Sequence, residues 1–162
     1  MKLKHALRTG GLFLAMVVLH YATRPFLGGR VGIDFLLLAV LLAGIGLRPG
    51  AAAVLGFTAG LVADALEPVS FGASALALTI VGFGASWVRA AFFARSPAVY
   101  GGLVFAAKLV HDSIVLLVVG GDGLTATATQ LLVWTPLTAL LSAVAAVVLA
   151  ALFGSQLQSD DG

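Results

Sequence analysis

The sequence predicts an all-α integral membrane protein, organised as a compact bundle of six transmembrane helices. Hydrophobic residues make up 60% of the 162-residue chain, charged residues only 10%, and the mean hydropathy is +1.11. A soluble domain carries about 25% charged residues, so this chain has too little polar surface to enclose its apolar residues in water. Lipid is therefore the expected solvent for most of the chain, and in lipid a helix satisfies its own backbone hydrogen bonds.

Composition and motifs argue against several functional classes. The chain contains no cysteine, which removes disulfides, thiol catalysis and thiolate metal sites. The formal net charge is only +2, and no long basic run indicates nucleic-acid binding. No HExxH helix, P-loop, GxSxG turn or other nucleophile–base pair in a recognisable context is present. We therefore expect a non-enzymatic protein without a cofactor, a metal site or a nucleic-acid partner.

Charged residues and prolines divide the chain into six apolar spans within a single domain, 1–162. The spans cover residues 10–27, 31–47, 49–66, 71–88, 97–120 and 130–153. The N-terminal sequence is similar to a signal peptide, but no small-residue cleavage site follows the first span, so we expect a retained helix. Spans two and three have about 17 residues each, fewer than the roughly 20 that cross a bilayer. Their ends should lie in the interface, or one of them is partly re-entrant.

Prolines and glycines indicate where the spans begin and end. Pro49 and Pro97 stand where the first turn of a helix tolerates proline, and Pro68 should end span three. The segment GGDGLTATAT, residues 120–129, is expected to be a small polar loop between spans five and six.

Basic residues are distributed unequally between the two sets of loops. One side receives Lys2, Lys4, Arg8, Arg48, Arg89 and Arg95, whereas the other receives Arg24 and Arg30. Cytoplasmic loops carry the excess of Lys and Arg, so both termini are predicted to be cytoplasmic. Asp64, Glu67 and Asp122 then belong to the external side.

The third span carries a carboxylate on a glycine-lined face. Gly56, Gly60 and Asp64 follow one another at intervals of four residues, so they share one face of a helix. Small residues at this spacing let two membrane helices approach closely, and Asp64 should therefore face neighbouring helices. Two interpretations remain open: an acid at a helix end that extends to water, or a specific contact with a partner. Arg24 or Arg30 could also meet Asp64 across the external face.

A second acid stands at the start of span two. Asp34 follows Arg30 by four residues, so the two could form a helical ion pair. Alternatively, Asp34 could simply occupy the first turn, where the helix dipole favours an acid. The sequence leaves both interpretations open.

Span five contains the ionisable segment KLVHDS. Lys108, His111 and Asp112 have the i, i+3, i+4 spacing of one helix face, and Lys108 falls near the middle of the span. Ionisable side chains at that depth are costly and usually face a bundle interior or a cavity. The segment indicates either a polar lock that only fixes helix packing, or a site that binds a substrate or relays a proton. One His and one Asp are too few ligands for a metal site.

Residues 30–89 resemble the rod shape-determining membrane protein family MreD. An acid leads into a Leu-rich second span, followed by an arginine-proline-glycine turn, the pattern GFxxGLxxDxL, a proline-containing turn and the pattern GxxALxxxxVG. The matching positions are Asp34, Gly56, Gly60, Asp64 and Gly72. Length and six-span layout also fit, whereas spans one, five and six match only in hydropathy, and KLVHDS lies outside the pattern.

The resemblance implies a fold similar to the small membrane subunits that bind vitamins for energy-coupling-factor transporters. It also implies a non-enzymatic scaffold of the bacterial cell-wall elongation complex, located in the inner membrane. Such proteins associate with MreC, and through it with the MreB filament, the glycan polymerase RodA and its transpeptidase. The alternative function is a small membrane subunit of a solute transporter. In that case Lys108, His111 and Asp112 would contact a polar substrate within the helix bundle, although the external loops are brief for capping a pocket.

Overall fold

The computed structural model describes residues 2–23, 32–66, 72–88, 97–120 and 123–157. Within these ranges the chain is helical apart from short connections and contains no strand. The helices are α1 (Lys2–Thr23), α2 (Phe35–Gly46), α3 (Pro49–Leu66), α4 (Ala73–Trp87), α5 (Pro97–Val119) and α6, which joins Leu124–Thr129, a π-helical segment Gln130–Trp134, and Thr135–Leu157. The predicted all-α class is confirmed.

Three of the described helices are long and apolar enough to cross a membrane. Their apolar windows are Pro49–Leu66, Val99–Val119 and Thr125–Leu149. Shorter apolar helices cover Phe13–Thr23, Phe35–Gly46 and Ala73–Trp87. At about 1.5 Å per residue, the 12 residues of α2 extend only about 18 Å, well short of a bilayer core of about 30 Å. The chain therefore has the helices of a membrane protein, of two length classes.

Helix boundaries agree with the sequence most closely where proline begins a helix. Pro49 and Pro97 are the first residues of α3 and α5. The prediction of a polar loop over 120–129 is wrong for its second half, because Leu124–Thr129 is helical. The hydroxyls of Thr127 and Thr129 donate to carbonyls four residues earlier, so these side chains need no external polar partner.

The π-helical segment of α6 ends at Trp134, two residues before Pro136. Proline has no N–H to donate, and its ring collides with the carbonyl four residues earlier in a regular helix. Here the Thr135 N–H bonds to the carbonyl of Gln130, five residues back, which widens the turn before the ring. Beyond this turn, Thr135, Ala139 and Ser142 are fully buried and form the inward face of α6.

The antiparallel pair α3 and α4 is packed through glycine. A Cβ atom added at Gly56 would collide with the Leu78 carbonyl, and one added at Gly60 would collide with the backbone at Ala75. On α4, a Cβ at Gly82 would collide with the carbonyl of Ala52. The two backbones are therefore in direct contact over most of their length, as small residues at four-residue spacing permit.

The short helix α2 is the centre of the molecule. Residues 36–41 are all buried, and Leu37, Leu38 and Val40 have no exposed surface. The outer helices instead expose rows of large apolar side chains. On α4 this row consists of Leu76, Ile80, Phe83 and Trp87, the last of which is 71% exposed. An apolar exterior around an apolar centre is the distribution expected of a helical bundle in lipid.

Candidate functional site

A buried lysine at the middle of α5 contacts two carboxylates. Lys108 is 9% exposed, and its Nζ lies 2.9 Å from Asp34 Oδ2 and 2.7 Å from Asp112 Oδ1. Asp112 is one turn further along the same helix, whereas Asp34 is 74 residues away in sequence. The ammonium group therefore ties α5 to the start of α2.

Asp34 is held in place by three further interactions. It is the N-cap residue of α2, and its Oδ1 accepts the N–H of Leu37 at 3.0 Å. Its own backbone N–H donates to the hydroxyl of Ser142 on α6 at 3.0 Å. Its Oδ1 also lies 3.6 Å from Nδ1 of His20, near the end of α1. Asp34 thus joins four helices, α1, α2, α5 and α6.

The second carboxylate has a histidine of its own. Nδ1 of His111 lies 3.0 Å from Asp112 Oδ1, the same oxygen that receives Lys108. We call His20, Asp34, Lys108, His111, Asp112 and Ser142 together the ionic cluster. Its ionisable side chains are 11–16% exposed, so the cluster lies inside the bundle.

The structure places the three residues of the KLVHDS segment together and adds members that the sequence did not indicate. Asp34 was expected at the first turn of a helix, and it occupies the N-cap position directly before that turn. Among the described residues, the lysine or arginine that contacts Asp34 is Lys108. Arg30 lies outside the described residues, so the ion pair between Arg30 and Asp34 stays a prediction. His20 and Ser142 were missed. His20 could have been noticed, because an ionisable side chain within an apolar helix indicates a functional site. Ser142 could not, because a serine in an apolar helix gives no such indication.

The ionic cluster has large energetic consequences for a chain in lipid. Removing one partner of a buried ion pair typically costs about 3–5 kcal/mol, because the other charge is left uncompensated. Lys108 serves two carboxylates at once, so its loss would leave both uncompensated. Among the described residues no group of three or more His, Asp or Glu side chains could hold a metal ion.

Asp64 forms a second, separate polar site. It is 1% exposed, so it does not extend to water. Its Oδ2 accepts the N–H groups of Gly72 and Ala75, each at 2.9 Å, and its Oδ1 accepts that of Ser74 at 3.1 Å. These are N–H groups of the first turn of α4 that have no partner within their own helix. Asp64 on α3 is therefore the capping group of α4.

Gly72 completes this arrangement. Its φ of 97° is left-handed, which favours glycine, and it turns the chain into α4. Gly56, Gly60, Asp64 and Gly72, four of the five positions that carry the family resemblance, thus all act in the contact between α3 and α4. Glu67, Pro68 and the rest of the turn lie outside the described residues.

An apolar groove of about 410 Å³ lies between α5 and α6. It is lined by residues such as Gly102, Phe105, Ala143 and Val147, and no member of the ionic cluster contributes to it. It therefore offers no polar group that could recognise a charged solute.

The described residues form an all-helical protein that has three helices long and apolar enough to cross a membrane, a buried ionic cluster and a glycine-packed, carboxylate-capped helix pair. No family model, curated protein or solved structure matches this chain.

Proposed function

We propose that this chain is a non-enzymatic scaffold of the bacterial cell-wall elongation complex, similar to MreD, which binds the transmembrane helix of MreC. Through MreC it would be linked to RodA, its transpeptidase and the MreB filament. It would cross the inner membrane six times, with both termini in the cytoplasm and a fold similar to the vitamin-binding subunits of energy-coupling-factor transporters. Three apolar helices long enough to cross and three shorter ones give the six apolar segments that this layout requires.

The observation that carries this proposal is the arrangement of the residues in the resembling segment. Gly56 and Gly60 bring two backbones into contact, and Asp64 caps α4 at Gly72. Asp34, the remaining position, caps α2 and meets Lys108. Each position therefore has a physical reason to be that residue type, which supports the resemblance as a fold signature rather than a chance match of apolar sequence.

The proposed mechanism is helix packing in the membrane. The capped α3–α4 pair and the ionic cluster hold the bundle rigid, so its apolar outer surface can present a fixed shape to a partner helix. Association in lipid depends on close van der Waals packing, because lipid tails are as apolar as the side chains. A rigid surface loses less conformational entropy on binding than a mobile one.

Co-purification with MreC tests this function. The tagged chain is expressed in a rod-shaped bacterium lacking its own MreD, together with an MreC protein, and is purified from detergent-solubilised membranes. We expect MreC to be retained and rod shape to be restored. An unrelated six-span protein with the same tag is the control. Spherical cells together with absence of MreC from the purified sample would contradict the proposal.

The ionic cluster favours the second candidate function, a solute-transporter subunit. Four helices converge on it with two carboxylates, one ammonium group and two imidazoles, which could contact a polar solute. This function predicts that a polar metabolite raises the melting temperature of the purified protein. The variant Lys108→Met/Asp112→Leu/Asp34→Asn, which removes the three charges together, should lose the effect. Retention of a transporter ATPase instead of MreC in the purification would favour it over the scaffold.

A further inference from the structure

The charges of the ionic cluster do not balance among its described members. Asp34 and Asp112 supply two negative charges, and Lys108 supplies one positive charge. With both histidines neutral, the cluster carries a net charge of about −1 inside a helical bundle. An uncompensated charge in an apolar interior is costly, and proteins usually avoid it by binding a proton or a counter-charge.

No other described helix supplies the missing charge. Helices α2, α4 and α6 contain no ionisable side chain within their helical ranges. In α3 the carboxylate Asp64 is occupied by the α4 amides. In α1 the basic residues lie in the first two turns, far along the helix from His20, whose ring packs edge-on against Tyr21. Among the described residues, the groups that face the two carboxylates are therefore Lys108, His20, His111 and the Leu37 N–H. The Ser142 hydroxyl accepts the backbone N–H of Asp34.

The hydrogen-bond geometry leaves room for one proton. A carboxylate oxygen only accepts, so His111 donates from Nδ1 to Asp112 Oδ1. A neutral ring that donates from Nδ1 has a free lone pair on Nε2, and protonation there changes the charge without breaking this contact. His20 stands in a similar relation to the other carboxylate, with its Nδ1 3.6 Å from Asp34 Oδ1. Each carboxylate thus has its own histidine, and both share one lysine.

We propose that the ionic cluster is a proton-binding site that holds one exchangeable proton on a histidine opposite a carboxylate. The proton makes the cluster neutral. It can be held at the Asp112 end by His111 or at the Asp34 end by His20, because Lys108 bridges the two ends. This inference does not depend on the identity of the scaffold's partner.

When the proton is on His20, it stabilises the contact of α1 with the rest of the bundle. His20 is the α1 member of the cluster, and its attraction to Asp34 exists only when the imidazole is charged. Stabilisation by a bound proton is present at low pH and is lost as the pH rises. If the carboxylates lost their charge in this pH range instead, their contacts with Lys108 would weaken, and stability would fall as the pH is lowered.

Melting temperatures in lipid nanodiscs test the proposal over about pH 5 to about pH 8, the range in which histidine changes charge. For the wild type we expect a fall of several degrees as the pH rises. The double variant His20→Gln/His111→Gln should melt low at every pH, because it cannot bind the proton. His5→Gln, which changes the histidine of the first helical turns, is the matched control and should keep the wild-type profile.

A rescue separates lost charge balance from lost packing. Adding Asp112→Asn to the double variant removes one negative charge and leaves Lys108 balanced by Asp34. We expect the melting temperature to recover and to stay independent of pH. If the triple variant melts as low as the double variant, the histidines act through packing and the proposal is wrong.

Direct detection of the proton completes the test. In the His5→Gln variant the ring nitrogen NMR signals belong to His20 and His111, and we expect about one charged ring per molecule at low pH. Two neutral rings throughout would overturn the proposal. So would a melting temperature that depends on sodium, tested by replacing it with choline, rather than on pH. A pH-independent wild type that is destabilised by Arg24→Gln or Arg30→Gln would show that an arginine balances the cluster instead.

Discussion

Asp64 on α3 holds the first turn of α4 through Gly72, whose N–H lies 2.9 Å from the Asp64 Oδ2 atom. Most helices are capped by the residue that precedes them, but here the cap comes from the helix before. The glycine at the usual N-cap position has no side chain to offer. A change at Asp64 therefore acts on two helices at once.

We expect Asp64→Asn to lower the free energy of unfolding by about 1.5–3 kcal/mol, the range for hydrogen bonds to a charged group. Asparagine has one acceptor oxygen, and its NH₂ group would point a donor at one of the N–H groups of α4. Reversible unfolding in mixed SDS micelles measures the effect. Glu67→Gln, three residues away in sequence, is the control and should be nearly silent, because the sequence predicts that Glu67 lies in the external turn, where an acid in water contributes little to stability. Equal losses in the two variants would contradict the capping role.

Gly60→Ala should destabilise the protein because the new Cβ collides with the Ala75 backbone, and Gly60→Leu should be worse. Gly84→Ala is the matched control. It adds the same methyl group inside α4 at a position with no atom within 4 Å, and removing a helix glycine there should stabilise by up to about 1 kcal/mol. Co-purification of MreC with the same variants tests the proposed function. If Gly60→Leu retained both stability and MreC, close packing of α3 on α4 would not matter for either.

Lys108→Met should lower stability by about 3–5 kcal/mol or prevent folding, because two acids lose their shared cation. The sequence alone predicts that Lys108→Met with Asp112→Leu recovers much of this. The structure predicts only partial recovery, because Asp34 would remain uncompensated. Adding Asp34→Asn should complete the recovery, since asparagine is also a good N-cap.

Yield and unfolding in mixed micelles measure this series of variants. Val110→Met places the same new side chain on the exposed face of α5 and should be neutral. If the triple variant is stable but fails to restore rod shape, the cluster has a functional role beyond packing.

Reporter fusions test the six crossings. Fusions after residues 95 and 162 should report the cytoplasm, and one after residue 122 should report the exterior, because basic residues gather on the side that stays cytoplasmic. The short helices α2 and α4 make this a demanding test, because each is shorter than the roughly 20 residues needed to cross. A cytoplasmic signal after residue 122 would mean that α5 does not separate the two sides.

Sequence reasoning succeeded where one local cause sets the structure. Proline begins α3 and α5, and four-residue spacing places Gly56, Gly60 and Asp64 on one face. It failed over Leu124–Thr129, because threonine hydroxyls can bond within a helix as readily as in a loop.

The long-range part of the ionic cluster could not be read from sequence. The spacing within KLVHDS fixes the relation of Lys108 to Asp112, since both are on one helix. The pairing of Lys108 with Asp34 depends on how α2 sits against α5. The position of α2 against α5 depends on side-chain packing throughout the bundle. The spacing of residues along the sequence does not predict that packing. The contact of the Asp34 N–H with Ser142 is of the same kind.

The cap on α4 also bears on how the chain enters the membrane during synthesis. A 15-residue apolar helix such as α4 is a weak insertion signal by itself, and an aspartate near the end of α3 adds a penalty of its own. When Asp64 binds the α4 amides, the acid and the free N–H groups are hidden from lipid together. We therefore expect α3 and α4 to leave the translocon as one hairpin, so that neither helix has to partition into the bilayer alone.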